Sequence, residues 1–561
     1  MRFSLSLLLL IVLLVAPITP GASSDLEGGS EPPTLRLLLD SSPNASLIGS
    51  LPAPGSLIAP GRVSWQVSFP SSGGQVTFSG GESLALWPLT NPWWVILETG
   101  PVSSLQQAVS SFPDLWQQVG KPLLAELSGA LSLSLGPYPS QSAAEVDRNR
   151  SAASFPGVSV TSGVYSFFLE TDRAYDLGWA SQEGGVAFQF TSSAPLSYEG
   201  KGYRGSLEVF VRAGEEPLLR VVNTLDLESY LYGVLPAEIY PNWAVEAVKA
   251  QAVAARTFAL RRLQGGTPRK TEGYDLTGTV SDQVYKGYGV EAEASNQAVD
   301  DTRGEILTYG GEVISALFHD CSGGMTENNE NVFSGPPLPY LRSVSSSGEE
   351  ANKYFSWTAT IATSAFMKAA EKKKGVTLGD LVSLSVLEQG VSGRIKTLEV
   401  EGTVGTCTLT GEQLRQVAGL RSSLIIAPGS LTAPGRVLWQ NGVPSGGVES
   451  LAGDAIIACL SNSGLGSLSM KGAVLLSSLG TASPPDQPIL LAAGGPWPLP
   501  ITSTIPPSTI GIGEVLTFTG HGNGHGLGMP QWGAKARAEE GMNYGAILAT
   551  YYTGAQLETR Y

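Results

Sequence analysis

All three histidines of the 561-residue chain lie in two short segments. One reads Ser315-Ala-Leu-Phe-His319-Asp-Cys321-Ser-Gly-Gly, the other Thr519-Gly-His521-Gly-Asn-Gly-His525-Gly-Leu-Gly. Alternate residues of a strand share a face, so a strand carrying His319 and Cys321 aims both at one site. Glycines let the second segment approach a ligand closely and aim His521 and His525 through unusual dihedrals. Core or surface histidines are ordinarily scattered, so this clustering points to a site. Together the four residues offer three imidazole nitrogens and one sulfur, a donor set of the kind zinc accepts, and zinc is the expected cofactor. Two plainer readings stay open: imidazoles that hydrogen-bond a glycan, and imidazoles that only hold glycine-rich turns.

A lone acid stands out in Leu235-Pro236-Ala-Glu238-Ile-Tyr240-Pro241-Asn-Trp243. Pro241 suits the first turn of a helix that Gly265-Gly266 can end, which puts Glu238 at the mouth of that helix. A carboxyl buried beside Tyr240 and Trp243 would keep its proton, as a general acid must, whereas a helix N-terminus favours the anion. The plainer role is that Glu238 only complements the helix dipole. The helix itself carries alanine on nearly every face, from Ala244 to Ala259, and is expected to be buried.

These segments must be held by a folded body. At roughly 150 residues per domain the chain has room for three or four domains. With 42% hydrophobic and 15% charged residues it is a folded protein, and 68 Gly with 37 Pro imply many loops. Acidic residues outnumber basic ones, 49 to 34, for a net charge of −15, so no basic footprint exists for a nucleic-acid backbone. Three cysteines cannot staple a chain of this length. Cys407 and Cys459, in apolar strand-like runs, either pair or are simply buried.

The start, MRFSLSLLLLIVLLVAPITPGASS, reads as a secretory signal over residues 1–23. Its apolar run is shorter than the roughly 18 to 20 residues that span a bilayer comfortably, so cleavage is favoured and an uncleaved membrane anchor is the alternative. The protein is expected outside the cytoplasm, in the periplasm or cell envelope. Residues 30–90 read as a small β-rich module. Residues 91–155 run strand, helix (around 105–127), strand, helix, and the text LGPYPSQSAAEVDRN resembles a SPOR domain, a peptidoglycan-binding module; an ordinary α+β segment with a Gly-Pro turn is the alternative. The fold class expected for the whole chain is multidomain α+β. Residues 427–511 are Ser-, Gly- and Pro-rich and read as a β-rich insertion. Residues 53–66 recur at 427–440 with twelve of fourteen positions identical, which is a duplicated turn-strand unit and no solenoid.

Four ordered stretches resemble the SpoIID/LytB family: LDLESYLYGVLPAEIYPNWAVEAVKAQAVAARTFAL, YDLTGTVSDQVYKGY, FHDCSGGMTENNENVF with GPPLPYLRSV, and GHGNGHGLGMPQWGA. The resemblance implies a mixed α/β catalytic domain whose first part is residues 156–426 and whose C-terminal part is 512–561, interrupted by the insertion. It also implies an exported lytic transglycosylase acting on peptidoglycan glycan strands, with denuded strands as the expected form of the substrate and Glu238 as the catalytic acid. It implies cleavage between N-acetylmuramic acid and N-acetylglucosamine that leaves a 1,6-anhydro end. Gln283, Tyr285, Thr326, Gln531 and Trp532 are then expected to bind sugar, with His319, Cys321, His521 and His525 lining or organising the cleft. Asp226, Glu228, Asp282 and Glu327 are the candidates for the second carboxylate that a hydrolase would require. Family members of the LytB type are named for enhancing a cell-wall amidase, so a non-catalytic, glycan-binding activator of an amidase is the alternative function. An envelope scaffold whose histidines only stabilise turns is the third.

Overall fold

The computed structural model describes residues 31–43, 56–58, 65–69, 73–78, 83–90, 93–119, 121–127, 130–162, 165–170, 174–181, 185–212, 218–265, 272–428 and 515–561, with short strands at 439–440, 443–444, 456–461, 464–469, 476–477 and 480–481. The expected signal segment and most of the insertion lie outside the described residues, as does most of the second copy of the repeat. The protein is a multidomain α+β chain, as expected. The described residues form two compact units, one of those up to Ser315 together with Gln556–Tyr561, the other of those between Ala316 and Ala555.

The first unit contains a seven-stranded sheet in the order Leu276–Thr277, Thr34–Pro43, Leu218–Asp226, Ser206–Arg212, Gly185–Ser192, Trp65–Phe69, Gly74–Phe78. A ten-stranded sheet joins residues from both sides of the expected boundaries at 90 and 155: Ser83–Thr90 pairs with Tyr165–Glu170, and Leu123–Leu127 with Asp176–Ser181. Residues 30–90 are therefore no separate module. Strands Thr34–Pro43, Ser56–Ile58, Trp65–Phe69 and Ser83–Thr90 take partners from residues 165–226. Helices α1 (Val102–Ser111), α2 (Pro113–Val119) and α3 (Gln141–Ser151) accompany the second sheet. The helix expected to reach residue 127 stops at Val119, because Lys121-Pro122 interrupts it and Leu123–Leu127 forms a wholly buried strand.

Helices α4 (Leu227–Glu238), α5 (Val245–Gln264) and α6 (Glu293–Asp301) pack on one another. Asp226 caps α4 by accepting the Ser229 N–H at 3.0 Å. As expected, α5 is buried on most of its surface: Ala247, Ala250, Ala252, Ala254, Ala255 and Ala259 are inaccessible. Small side chains there let α4 and α6 approach. The two helices α4 and α5 are clamped by an internal ion pair, Arg256 Nε and Nη2 each donating at 2.7 Å to Glu228. The chain end returns to this unit: Gln556–Thr559 pairs with Glu305–Tyr309, and the Tyr561 hydroxyl donates to Glu228 at 2.7 Å.

In the second unit, α8 (Thr363–Lys374) and α9 (Gly411–Ala418) follow the one-turn α7 (Asn329–Val332). Both longer helices pack on the sheet of Leu381–Gln389, Ile395–Gly402 and Thr406–Thr410, around a core containing Trp357, Phe366, Leu398, Leu409, Leu414 and Phe518. Strand Val515–His521 lies between Ser356–Ala362 and Ile425–Pro428 and delivers the chain to the glycine-histidine loop. That loop ends where Met529–Pro530 pairs in parallel with Phe318–His319, ahead of α10 (Gln531–Glu539) and α11 (Tyr544–Tyr551). Cys407 is a half-buried free thiol, and the side chain of Cys459 lies outside the described residues. Among the described residues no helix is long and apolar enough to cross a membrane.

Candidate functional site

Glu238 is the last residue of α4, where the sequence led us to expect the mouth of the following helix. Pro241 does not begin α5; Tyr240 to Trp243 form a turn, and the helix starts at Val245. The carboxyl therefore sits at the C-terminal end of α4. Its Oε1 accepts the backbone N–H of Val284 at 2.8 Å. The side chain is half-buried, reachable from solvent.

The segment that supplies that N–H is rigidly anchored. Gln283 is 1% exposed; its Oε1 accepts the Tyr230 hydroxyl at 3.0 Å and its Nε2 donates to the Ala255 carbonyl at 3.2 Å. Tyr285 is buried, donates its hydroxyl to Asn223 at 3.2 Å, and lies against the Tyr230 ring with centroids 5.4 Å apart. The expectation that Gln283 and Tyr285 bind sugar is corrected: their polar atoms are consumed inside the unit, and their role is to hold the strand of backbone that grips Glu238. Burial, and then the neighbouring Asp282 and Glu238 carboxyls, push the Tyr230 hydroxyl well above its ordinary pKa, so it stays a neutral donor.

The other carboxylates of this unit that could have served a hydrolase are all committed. Asp226 caps α4, and Glu228 is paired with Arg256. Asp282 Oδ2 accepts both the N–H and the hydroxyl of Thr277 at 2.9 Å. A surface depression of about 560 Å3 in the same unit, lined by Arg204, Tyr288, Glu291 and Asn296 among others, does not include Glu238.

The second unit gathers His319, Cys321, His521 and His525, but not as ligands. Among the described residues no three His, Cys, Asp or Glu side chains are placed to share a metal ion, so the expected zinc set is not assembled. Cys321 shows why: its thiol donates to Glu349 Oε2 at 3.0 Å, and burial, then the adjacent Glu349 charge, push it far above the ordinary thiol range, away from the thiolate that zinc needs. His319 and His525 instead hold the two backbone groups of one residue. The Leu527 N–H donates to His525 Nδ1 at 3.0 Å, and the Leu527 carbonyl is 3.1 Å from His319 Nδ1, which must then carry its proton. The rings stand 5.2 Å apart, and His319 Nε2 is buried without a partner. Burial is the leading cause that lowers all three imidazole pKa values, His525 to about 3, so each ring is neutral near pH 7.

Beneath this loop lies a polar core that spacing alone did not single out. Glu349, inaccessible to solvent, accepts from the Ser322 and Gly323 N–H groups and from the Ser322 hydroxyl, tying down the turn after Cys321. Glu327 accepts the Ser392 N–H at 2.9 Å and its hydroxyl at 2.6 Å, and the Val391 N–H at 3.1 Å. Arg394, 1% exposed, donates to the carbonyls of Met325 and Ser322 and to the Ser392 hydroxyl. Glu327 is thus structural. So is Thr326, whose Oγ1 accepts the Val344 N–H at 2.8 Å, correcting its expected role on sugar. Gln531 is 6% exposed, and its neighbour Trp532 is half-buried with Lys535 over its ring at 5.4 Å. In the sequence this core shows only as Gly390-Val-Ser392-Gly-Arg394, which reads as loop until Glu327 is seen to accept the Val391 and Ser392 N–H groups.

Comparison with known proteins extends this picture. A family model described as Stage II sporulation protein matches residues 215–309, which include α4, α5 and Glu238, and a domain of unknown function matches 339–431. An uncharacterised protein of Brachyspira hyodysenteriae is 41% identical over 160 residues, covering 28% of this chain and 41% of that protein. The amidase enhancer of Bacillus subtilis is 27% identical over 382 residues, 66% of this chain and 46% of its own length. The chain thus spans less than half the length of either relative. Stage II sporulation protein D of Bacillus amyloliquefaciens is 31% identical over 265 residues, 42% of this chain and 74% of that protein. With the ordered motifs of both units and this coverage, the chain belongs to the SpoIID family.

Proposed function

We propose that the protein is an exported lytic transglycosylase of peptidoglycan, cleaving between N-acetylmuramic acid and N-acetylglucosamine. The observation that carries the reading is the placement of Glu238: a solvent-reachable carboxyl at the C-terminal end of α4 whose Oε1 accepts the Val284 N–H, while Asp226, Glu228 and Asp282 are spent on structure. A single carboxyl suffices for this chemistry. As an acid, Glu238 gives its proton to the glycosidic oxygen as the bond from C1 to that oxygen breaks. As a carboxylate it then takes the proton of the same sugar's C6 hydroxyl, whose oxygen bonds to C1 and closes the 1,6-anhydro ring. No water and no second carboxylate enter, in contrast to hydrolysis. Denuded glycan strands are the substrate proposed, and the leader at 1–23 is the proposed route out of the cytoplasm.

The test is Glu238→Gln, which keeps the Val284 N–H contact and removes the proton. Wild-type protein should release fragments with 1,6-anhydro ends from purified sacculi or denuded strands, detected by mass spectrometry, and the variant should release none while melting at an unchanged temperature. Release undiminished by the substitution would refute the assignment. The 66% of this chain that aligns with an amidase enhancer supports a second reading, a glycan-binding activator of a cell-wall amidase, in which the SPOR-like region at 91–155 contributes to binding. It predicts no cleavage by the pure protein and faster turnover of an added amidase.

A further inference from the structure

Beyond Glu238 the chain passes through Ile239, which is 2% exposed and extended, into Tyr240-Pro241-Asn242-Trp243. The Trp243 N–H donates to the Tyr240 carbonyl at 3.1 Å, closing a four-residue turn. Proline at the second position sets the dihedral that such a turn requires, and closure brings the first and fourth residues together. The two aromatic rings consequently stand 5.4 Å apart, inclined at 40°. The turn is held from both ends, by buried Ile239 and by the start of α5. Yet Tyr240 keeps 62% of its surface in water, and Val245, one turn on, keeps 51%.

So exposed a tyrosine recovers little of the energy that burial would give it, and its arrangement adds little to the stability of the unit. A fixed aromatic surface of this kind does suit recognition, since Tyr and Trp present large contact areas at small entropic cost. We propose that Tyr240 and Trp243 form a stacking platform for one pyranose ring of the glycan, in the position adjoining the bond acted on by Glu238. The proposal rests on the reading of Glu238 given above. Two observations favour a sugar over a protein partner. The extended residue 239 places the Tyr240 Cα no more than about 7 Å from that of Glu238, so whatever covers the rings also borders the carboxyl. The C–H face of a pyranose is an apolar, electropositive match for the face of an aromatic ring. Exposed Asn242, at the tip of the turn, offers a carboxamide to the hydroxyl or acetamido groups at the ring edge.

The experiment uses the full chain and purified denuded glycan strands. Tyr240→Ala and Trp243→Ala should each raise KM roughly tenfold with kcat within about threefold, and Tyr240→Phe should restore KM, because the ring and not the hydroxyl makes the contact. The same substitutions placed on Glu238→Gln should weaken strand binding by the same factor, measured by calorimetric titration. A melting temperature within about 2 °C of the parent certifies the fold, and Tyr240→Ser serves where an alanine variant fails that criterion. Unchanged KM and unchanged binding would overturn the platform. If Glu238→Gln still releases glycan, the reading of Glu238 falls, and binding alone decides the platform: loss on removing the rings upholds it, retention refutes it.

Discussion

Replacing Arg256 with methionine tests whether the clamp between α4 and α5 is what fixes the helix that ends in Glu238. Arg256 is inaccessible to solvent and the Glu228 side chain is 2% exposed. The guanidinium makes two 2.7 Å bonds to the carboxylate and also donates at 3.1 Å to the carbonyls of Val299 and Glu305, so it ties α5 to α4, to α6 and to the strand beyond. Methionine fills most of the volume but leaves Glu228 with only the Tyr561 hydroxyl at 2.7 Å and the Gly304 N–H at 3.4 Å. Stranding one member of a buried pair costs about 3–5 kcal/mol. With roughly 2–4 °C per kcal/mol for a body of this size, the unit should melt about 6–20 °C lower. Adding Glu228→Gln removes the stranded charge and keeps an acceptor for Tyr561, so the double variant should recover about 2 kcal/mol of the loss. Scanning calorimetry of the intact chain resolves this, because the transition that moves must be that of the unit holding both helices. A loss below about 1 kcal/mol, or a double variant no more stable than the single one, would refute the reasoning.

Three further outcomes concern the histidines and cysteines of the second unit. Its three imidazoles have pKa values lowered on folding, so between the unfolded value near 6.5 and the folded value, about 3 for His525, the unfolded chain binds more protons; stability is complete above about pH 6.5 and is lost as pH falls through that window. Each histidine contributes a slope of up to about 1.4 kcal/mol per pH unit, Glu349, raised by burial, works in the opposite sense, and urea titrations of wild type and His525→Asn from pH 7 to 4 should show a shallower slope in the variant. Cys321, buried and bonded to Glu349, should resist alkylation in the native protein while half-buried Cys407 reacts, and a chelator should shift the melting temperature by less than about 1 °C; a larger shift would reinstate a metal.

What was legible in the sequence was whatever depends on local pattern. The alanine-covered α5, the strand leading into Cys321 and the loop built on glycines all follow from side-chain size and backbone freedom over a few residues. What was hidden depends on distant partners. Gln283 and Tyr285 read as sugar-binding residues because polar and aromatic side chains in a turn usually face water; only Tyr230, Asn223 and Ala255, far off in the chain, turn them inward. The four residues expected to hold zinc do not stand as a ligand set among the described residues, for the same reason. Four residues of suitable type converged, but Glu349 took the thiol and Leu527 engaged two of the imidazoles. For Glu238 the local helix was the hidden part: Pro241 serves a turn where a helix start was expected, so the carboxyl stands at the end of α4 and not at the start of α5.

That change of end bears on the proposed chemistry. In the proposed reaction one carboxyl acts first as acid and then as base, so both of its states must lie within reach in one turnover. The Val284 N–H that Glu238 Oε1 accepts at 2.8 Å is a contact that an anion takes more strongly than an acid does. Gln283 stands next to that N–H and is fixed by its hydrogen bonds with the Tyr230 hydroxyl and the Ala255 carbonyl. Under the proposed reaction Gln283 is therefore a positioning residue: loosening it would act on the carboxylate, the form that takes the C6 hydroxyl proton in the second half of the cycle.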